Sequence, residues 1–174
     1  GIVYSEAKLD TNDVIIGKII DVTLNGWRIE TNSAYSAFLS IKDATSEFIN
    51  RGADLTKIFD LGDNVVAKII NVTSQKLIDL TTKAPGLKKM TGGRVITVNP
   101  NKVPRIIGKQ GSMVQMLKEK TNCNIIVGQN GLVWVEGKNP NDELMATEAI
   151  LKIEHESHID GLTDKMKEFL EEKR

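Results

Sequence analysis

The sequence predicts two domains: an all-β barrel of five short strands, then an α+β domain with a three-stranded sheet and three helices. β-branched strand patterns separated by short turns fill the first half, whereas strand and helix patterns alternate in the second. Proline and glycine interrupt the stretch between them. With 174 residues, 40% of them hydrophobic, each half can bury its own core. We expect an arm over 1–9, the barrel over 10–83, a linker over 84–93, the α+β domain over 94–160 and a tail helix over 161–174.

The first domain is predicted from runs rich in valine and isoleucine. A turn at Leu24-Asn25-Gly26 separates the first two runs, and a mixed segment over 44–59 is expected to hold a short helical turn. Five short strands within about 70 residues are typical of a closed barrel of the OB type. The predicted strands are Val14–Val22, Trp27–Thr31, Ser36–Ile41, Asn64–Val72 and Leu77–Thr81.

The second domain is predicted as strand, helix, helix, strand, strand, helix. Asn139-Pro140 is a start signal for the last of these helices, because Asn caps helices well and Pro suits the first helical position. Gly161 then ends that helix. The tail helix carries an apolar stripe that either docks on its own domain, which we favour, or meets a partner. The stripe consists of Leu162, Met166, Phe169 and Leu170.

A glycine-framed turn, Gly108-Lys109-Gln110-Gly111, lies between the first two helices of this domain. Glycine lets a ligand approach the backbone closely, and the helix that begins at Ser112 opens with unpaired N–H groups that attract anions. Lys109 adds a point charge suited to phosphate, with Arg105 and Lys102 just before it. The alternative is a helix–turn–helix corner that needs its glycines only for geometry.

The charge distribution favours a polyanion over the simple corner. Between Lys88 and Gly128 there are eight Lys or Arg residues and one acid, Glu119. Residues 1–87 carry 9 basic and 11 acidic side chains, and residues 129–174 carry 6 and 11. The formal net charge of +0 therefore conceals a basic segment between two acidic flanks, an electrostatic pattern typical of nucleic-acid binding.

No catalytic, metal or cofactor site is predicted. No Ser or Cys nucleophile has a motif around it, and the glycine turn lacks the Gly-Lys-Ser/Thr ending of a P-loop. His155 and His158, near Asp160, lack further ligands, and the single Cys123 precedes an apolar strand, which favours a packing role. Without a signal-peptide pattern or a membrane-length apolar run, we expect a cytoplasmic protein that is not an enzyme.

The run from Val103 to Val127 resembles the core of a KH domain, and the resemblance extends over residues 92–155. It implies a type I KH fold in which Gly108 to Ser112, with Arg105 and Lys102, clamp the backbone of single-stranded RNA. An apolar groove and the core beneath it would come from Ile106, Ile107, Val114 and Ile126.

The first domain resembles the RNA-binding barrel named after ribosomal protein S-one. Gly17–Val22 and Ala67–Val72 share one pattern, and Leu61-Gly62-Asp63 and Asn25-Gly26-Trp27 match the family's turns. The positions where that family places aromatics and a histidine hold Asn25, Arg28 and Ser40. Bases would then stack on Trp27, Tyr35 or Phe38, although packing within the barrel is an equally reasonable role for each of these rings. The positive charges of the barrel that could contact RNA would be Lys18, Arg28 and Lys68.

The order of barrel and KH domain resembles the family of RNA-binding cap subunits of the archaeal exosome. The resemblance implies a non-catalytic chain, present in three copies on a hexameric ring of phosphorolytic 3′–5′ exoribonuclease subunits, that guides RNA into the pore. Residues 1–9 would come from a missing or truncated N-terminal domain. Two alternatives remain open: a structural cap that bridges ring subunits without RNA contact by the loop, and a free regulator that binds single-stranded RNA.

Overall fold

The computed structural model describes residues 8–156 and 161–173, which form two compact units. The barrel unit contains residues 8–91 together with 128–130, and the KH unit contains 92–127, 131–156 and 161–173. Within these residues, no helix is both long and apolar enough to cross a membrane.

The barrel unit is built on five strands that close on themselves. They are β1 (Val14–Thr23), β2 (Gly26–Glu30), β3 (Ser36–Ser40), β4 (Asn64–Val72) and β5 (Leu77–Thr81). The strands follow the order β1-β2-β3-β5-β4, and β4 also pairs with β1. All pairings among these five are antiparallel except that of β3 with β5. The predicted OB-type barrel is confirmed.

The long connection between β3 and β4 contains little regular structure. It begins with a short helix, α1 (Ile41–Ala44), and later forms one 3₁₀ turn at Leu55–Lys57. Asp54 caps that turn by accepting from the N–H of Thr56 at 3.0 Å. The single helical turn predicted over 44–59 is therefore present, and α1 precedes it.

The barrel core follows from the alternation of side chains along each strand. Trp27 is its largest member, with no exposed surface, and its indole Nε1 donates to the carbonyl of Phe59 at 2.8 Å. The two rings meet edge to face with centroids 5.3 Å apart. Buried side chains from all five strands surround this pair, including Ile15, Ile29, Leu39, Ile69 and Leu80.

Two bulges keep polar side chains out of this core. In β1 the register with β2 shifts between Ile19 and Asp21, and in β4 the register with β5 shifts between Ile69 and Asn71. Strict alternation from Ile19 or Ile69 would turn Asp21 or Asn71 inward. The extra residue in each strand restores an outward position for the polar side chain and an inward one for the valine that follows.

A sixth strand, β6 (Lys89–Met90), lies in the segment predicted as a linker. It pairs antiparallel with β4 at Asn64 and Val65, and the N–H of Val66 also donates to the carbonyl of Lys88 at 2.8 Å. Two residues are too few to show a periodic pattern, and the backbone of β4 supplies the pairing groups. This strand was not predicted.

Asn130 is a buried polar side chain of the barrel unit. Its amide donates to the carbonyls of Ile16 at 2.7 Å and Thr31 at 2.8 Å, and its oxygen accepts from the N–H of Ile16 at 3.3 Å. These bonds satisfy a group that would be costly to bury unpaired. Its partners are distant in the sequence, so no local pattern predicts its burial.

The KH unit has a three-stranded antiparallel sheet with helices packed on one face. The strands are β7 (Arg94–Thr97), β8 (Cys123–Val127) and β9 (Leu132–Gly137), in the order β7-β9-β8. The helices are α2 (Val103–Ile107), α3 (Ser112–Thr121), α4 (Pro140–His155) and α5 (Leu162–Lys173), and a 3₁₀ turn at Pro100–Lys102 precedes α2. This succession of elements confirms the predicted KH fold.

The tail helix α5 docks on its own unit. Leu162, Met166 and Leu170 are buried in the same core as Ile106 and Ile150, and Phe169 packs against that core. The self-docking that the apolar stripe favoured is confirmed.

The start of α4 follows the predicted capping pattern. The side chain of Asn139 accepts from the N–H of Asp142 at 2.9 Å. One turn further, Glu143 accepts from the N–H of Gly137 at 3.0 Å and from the guanidinium of Arg94 at 3.2 Å. The hydrogen bond from Gly137 is the main reason that the pKa of the Glu143 carboxyl lies below its ordinary value of 4.5, and Arg94 lowers this pKa further. Desolvation of the carboxyl has the opposite effect.

Candidate nucleic-acid interface

Gly108 ends α2 in a conformation that only glycine adopts readily. Its φ of 77° and ψ of 171° lie in a region of the backbone map that a Cβ excludes. Its N–H closes α2 by donating to the carbonyl of Pro104 at 2.9 Å. A Cβ at this position would lie 2.6 Å from the backbone nitrogen of Met113, so packing also requires glycine.

Gly111 lies at the other end of the turn and needs glycine for a different reason. Its φ of 77° and ψ of 12° place it in the left-handed region, but a Cβ here would meet nothing within 4 Å. Gln110 is also left-handed, with φ 56° and ψ 29°. The backbone therefore reverses within two residues and leaves open space in front of Gly111, where α3 begins.

The polar side chains of the turn project into solvent. Lys109, Gln110 and Ser112 are exposed, as is Arg105 on α2, whereas Lys102 is half-buried. Arg105, Lys109 and Ser112 line one cavity of about 310 Å³ that the start of α5 closes on another side. The structure thus brings two of the three predicted cations together with the first turn of α3.

The basic segment counted in the sequence is divided between the two units, and ion pairs neutralise some of its cations. Lys88 and Lys89 belong to the barrel unit, where Lys89 pairs with Asp63 at 3.7 Å. In the KH unit, Arg94 pairs with Glu143 at 3.2 Å and Lys120 with Glu171 at 3.8 Å. The positive charge next to the turn therefore comes from Lys102, Arg105 and Lys109, fewer cations than the sequence count implied.

The apolar residues predicted beside the turn divide between two faces of the sheet. Ile106 is fully buried, and Ile107 and Val114 pack partly buried against the same core. The prediction for Ile126 was wrong, because strand alternation turns it away from the helices. It pairs with Trp134, which pairs with Val95, so these three side chains share the far face.

Trp27 is the predicted barrel aromatic that the structure removes from the surface. It lies in the core, so its ring cannot stack on a base, and packing is its role. Tyr35 is half-buried, with its hydroxyl accepting from the N–H of Leu9 at 3.3 Å and Lys76 Nζ 5.9 Å from its ring centroid. Its ring is therefore largely occupied by contacts within the barrel.

Phe38 and Arg28 form a pair on the outer face of the barrel. They lie directly opposite each other on β3 and β2, with Phe38 half-buried and Arg28 exposed. The same cross-strand row continues to Asp21 on β1 and Asp79 on β5. The face that could receive a base therefore has one aromatic ring and one cation, with a carboxylate at either end.

The other two predicted barrel cations lie apart from this pair. Lys18 is exposed and faces Glu30 across the β1–β2 pairing. Lys68 is half-buried on β4, which is not a neighbour of β2 or β3. The structure therefore does not gather the barrel cations into one patch.

Of the three residues considered as metal ligands in the sequence, the structure describes only one. His155 is exposed, while His158 and Asp160 lie outside the described residues. Over 8–156 and 161–173, no group of three or more His, Cys, Asp or Glu side chains could hold a metal ion.

A second cavity, of about 360 Å³, lies at the β1–β2 turn of the barrel unit and was not predicted. Leu24 and Asn25 line one side of it, and residues 49–53 of the long connection line another. The connection has no periodic pattern, so its approach to the turn leaves no signal in the sequence.

Comparisons with known proteins agree with this architecture. A KH-domain family model matches residues 93–141. The exosome complex component Rrp4 of Thermococcus kodakarensis is 48% identical over 164 residues, which cover 92% of this chain and 64% of that protein. Rrp4 of Methanothermus fervidus is 42% identical, and the match covers 91% of this chain and 70% of that protein. This chain therefore spans about two thirds of the length of these relatives.

A solved crystal structure agrees over nearly the whole chain. It is described as that of an exosome complex RNA-binding protein, with 34% identity, a TM-score of 0.87 and coverage of 98% of both chains. The KH fold is a nucleic-acid-binding module rather than a catalytic one. The family model over residues 93–141 therefore agrees with the prediction of a binding module in the second domain. An identity above 40% over most of both chains establishes the family: the chain belongs to the Rrp4 family of exosome complex components.

Proposed function

We propose that this chain is a non-catalytic RNA-binding subunit of an exosome, and that its KH turn holds the RNA backbone. The observation that carries the proposal is the turn itself. Two glycines with positive φ flank an exposed Lys109 and Gln110, and open space lies in front of Gly111 at the start of α3.

This geometry suits phosphate without reading bases. The first N–H groups of a helix have no partner within the helix and carry partial positive charge, and α3 is long enough, at 10 residues, to have a dipole. Lys109 contributes a full charge beside them, and Arg105 a second. Because backbone phosphates are the same at every nucleotide, binding has little sequence preference.

The barrel adds a second, weaker contact surface. Arg28 and Phe38 stand side by side on the outer face of β2 and β3, the face that OB barrels use for oligonucleotides. One aromatic ring and one cation can hold one base and one phosphate. The carboxylates of Asp21 and Asp79 at the ends of the row limit how far the RNA follows it.

The relatives' names and the family resemblance support a proposed assembly. The Rrp4 relatives are named as components of the exosome complex. We place this chain as a cap on a ring of phosphorolytic 3′–5′ exoribonuclease subunits in the cytoplasm, with three copies on a hexameric ring that guide single-stranded RNA into the pore.

The test replaces Lys109 and Gln110 together by Asp. Both glycines remain, so the fold should survive, while two carboxylates occupy the place of phosphate. Each lost charged contact costs about 1.5–3 kcal/mol, or roughly ten- to a hundredfold in affinity. Fluorescence anisotropy with labelled single-stranded RNA at two salt concentrations measures this, and the variant should also show a shallower salt dependence than wild type.

A matched control carries the same charge change elsewhere. Lys167→Asp with Gln75→Asp alters two exposed positions outside the turn and should leave the affinity near that of wild type. Equal affinity of the turn variant and wild type, with both folded by circular dichroism, would remove the RNA site from this turn and favour a structural cap. Failure of the chain to co-purify with the ring, with RNA binding intact, would favour a free regulator.

A further inference from the structure

The cavity beside the KH turn has a second wall, formed by the start of the tail helix α5. On one side of this cavity of about 310 Å³ lie the turn and its cations Arg105 and Lys109, and on the other side lie residues 161–164. Asp164 is the only acid among the described residues that line the cavity. A carboxylate therefore lies beside the place at which the turn would hold a phosphate.

The packing of α5 fixes the position of Asp164. Leu162, two residues before it, is 3% exposed, and Met166, two residues after it, has no exposed surface. Both belong to the same core as Met113, which lines the cavity from the first turn of α3. Asp164 itself is exposed. Its carboxylate is therefore in water at a defined place on the cavity wall.

Asp164 could also serve the helix alone. The N–H of Lys165 donates to the carbonyl of Gly161 at 3.2 Å, so Asp164 lies in the first turn of α5. Acidic side chains stabilise this end of a helix, because the N–H groups there carry partial positive charge. A role in the helix alone predicts that replacing Asp164 lowers stability and leaves the RNA affinity unchanged.

The charge of Asp164 also acts on an anion that enters the cavity. A sphere of about 310 Å³ is about 8 Å across, close to the Debye length at physiological ionic strength, so salt screens Asp164 from a phosphate at the turn only in part. Repulsion between two charges at this separation corresponds to roughly two- to tenfold in affinity. It opposes the attraction that Lys109, Arg105 and the first N–H groups of α3 exert on the same phosphate.

We infer that Asp164 sets the strength of the KH turn by weakening its hold on the RNA backbone. This inference rests on the proposed RNA-binding function and deepens it. Affinity differences between closely related complexes lie mostly in the dissociation rate, so Asp164 shortens the time that RNA stays on the turn. A short residence suits a chain that passes RNA on to an exonuclease.

The experiment compares Asp164→Asn with wild type in the full chain, using a labelled single-stranded RNA of about ten nucleotides. The substitution removes the charge and keeps the shape of the side chain. The variant should bind about two- to tenfold more tightly, and stopped-flow fluorescence should show that most of the gain is a slower dissociation. The gain should shrink as the salt concentration rises, because screening removes the repulsion.

Glu172→Gln is the matched control. It removes one negative charge from an exposed position of the same helix. At 1.5 Å per residue, this position lies about 12 Å further along the helix axis than Asp164, beyond the Debye length at physiological ionic strength. The RNA affinity of this variant should equal that of wild type, and circular dichroism should show that both variants are folded.

The outcomes separate this inference from the proposed function. If Asp164→Asn binds RNA as wild type does, or more weakly, the inference is overturned, and the loss of affinity in Lys109→Asp with Gln110→Asp still supports the turn as the RNA site. An equal gain from Glu172→Gln also overturns the inference, because the effect is then one of net charge. Added to the turn variant, Asp164→Asn should bring no gain, and a gain that persists there overturns the inference. If the turn variant binds as wild type does, the proposed RNA site and the inference both fall.

Discussion

The two glycines of the KH turn should respond differently to the same substitution. Gly108→Ala places a methyl group 2.6 Å from the nitrogen and 2.7 Å from the Cβ of Met113, at φ 77° and ψ 171°. The backbone strain costs ~1–3 kcal/mol, and forcing the first turn of α3 to move costs ~1–3 kcal/mol more. The free energy of unfolding should therefore fall by about 2–6 kcal/mol, a large part of the total for a small domain.

Gly111→Ala should cost much less. Its methyl group meets nothing within 4 Å, so only the left-handed conformation is penalised, at about 1–2 kcal/mol. Gly111→Asn should cost less again, because Asn tolerates this region. Urea unfolding followed by circular dichroism measures all three variants. Equal losses at Gly108 and Gly111, or a larger loss at Gly111, would refute the assignment of packing to one glycine and of conformation alone to the other.

Two further predictions concern single side chains. Glu143→Gln should lower stability at neutral pH. The folded-state pKa of Glu143 lies below its ordinary value of 4.5, so its contribution is complete above that value and is lost as the pH falls through the folded-state pKa. The difference in Tm between wild type and variant should therefore shrink on acidification, and a constant difference would contradict the reasoning. Trp27→Phe removes the hydrogen bond to the carbonyl of Phe59 and opens a cavity, so the free energy of unfolding in urea should fall by about 2–4 kcal/mol. The RNA affinity of the folded variant should not change. A weaker affinity would contradict the assignment of Trp27 to the core alone.

Local patterns were sufficient to predict most of the fold. The strands β4 and β5 begin and end at the predicted residues, and the helix α3 begins at the predicted Ser112, because β-branched runs and helical spacing are properties of contiguous sequence. The cap at Asn139 was predicted for the same reason, since its partner Asp142 is only three residues away. What could not be predicted depends on distant partners. β6 exists because β4 offers it pairing groups, and Asn130 is buried because Ile16 and Thr31 satisfy it.

The candidate site shows the same limit. The glycine turn and its cations are adjacent in sequence, so their proximity was predictable, whereas the ion pairs that neutralise Arg94 and Lys120 require residues far along the chain. Counting charges along the sequence therefore overestimated the basic surface. The side of the sheet on which Ile126 lies, and the burial of Trp27, likewise depend on strand register, which composition does not reveal.

The paired bulges in β1 and β4 have a consequence for how the barrel tolerates changes in chain length. Ile20 and Ile70 are the unpaired residues at the two register shifts, and they are 48% and 40% exposed. Removing a residue from a regular strand turns every later side chain inside out, because the pleat repeats every two residues. In β1 and β4, the unpaired residue of the bulge shifts the inward–outward alternation by one position. Asp21 and Asn71 therefore point outward although each lies two residues after a core isoleucine, and the alternation before each bulge is out of step with that after it.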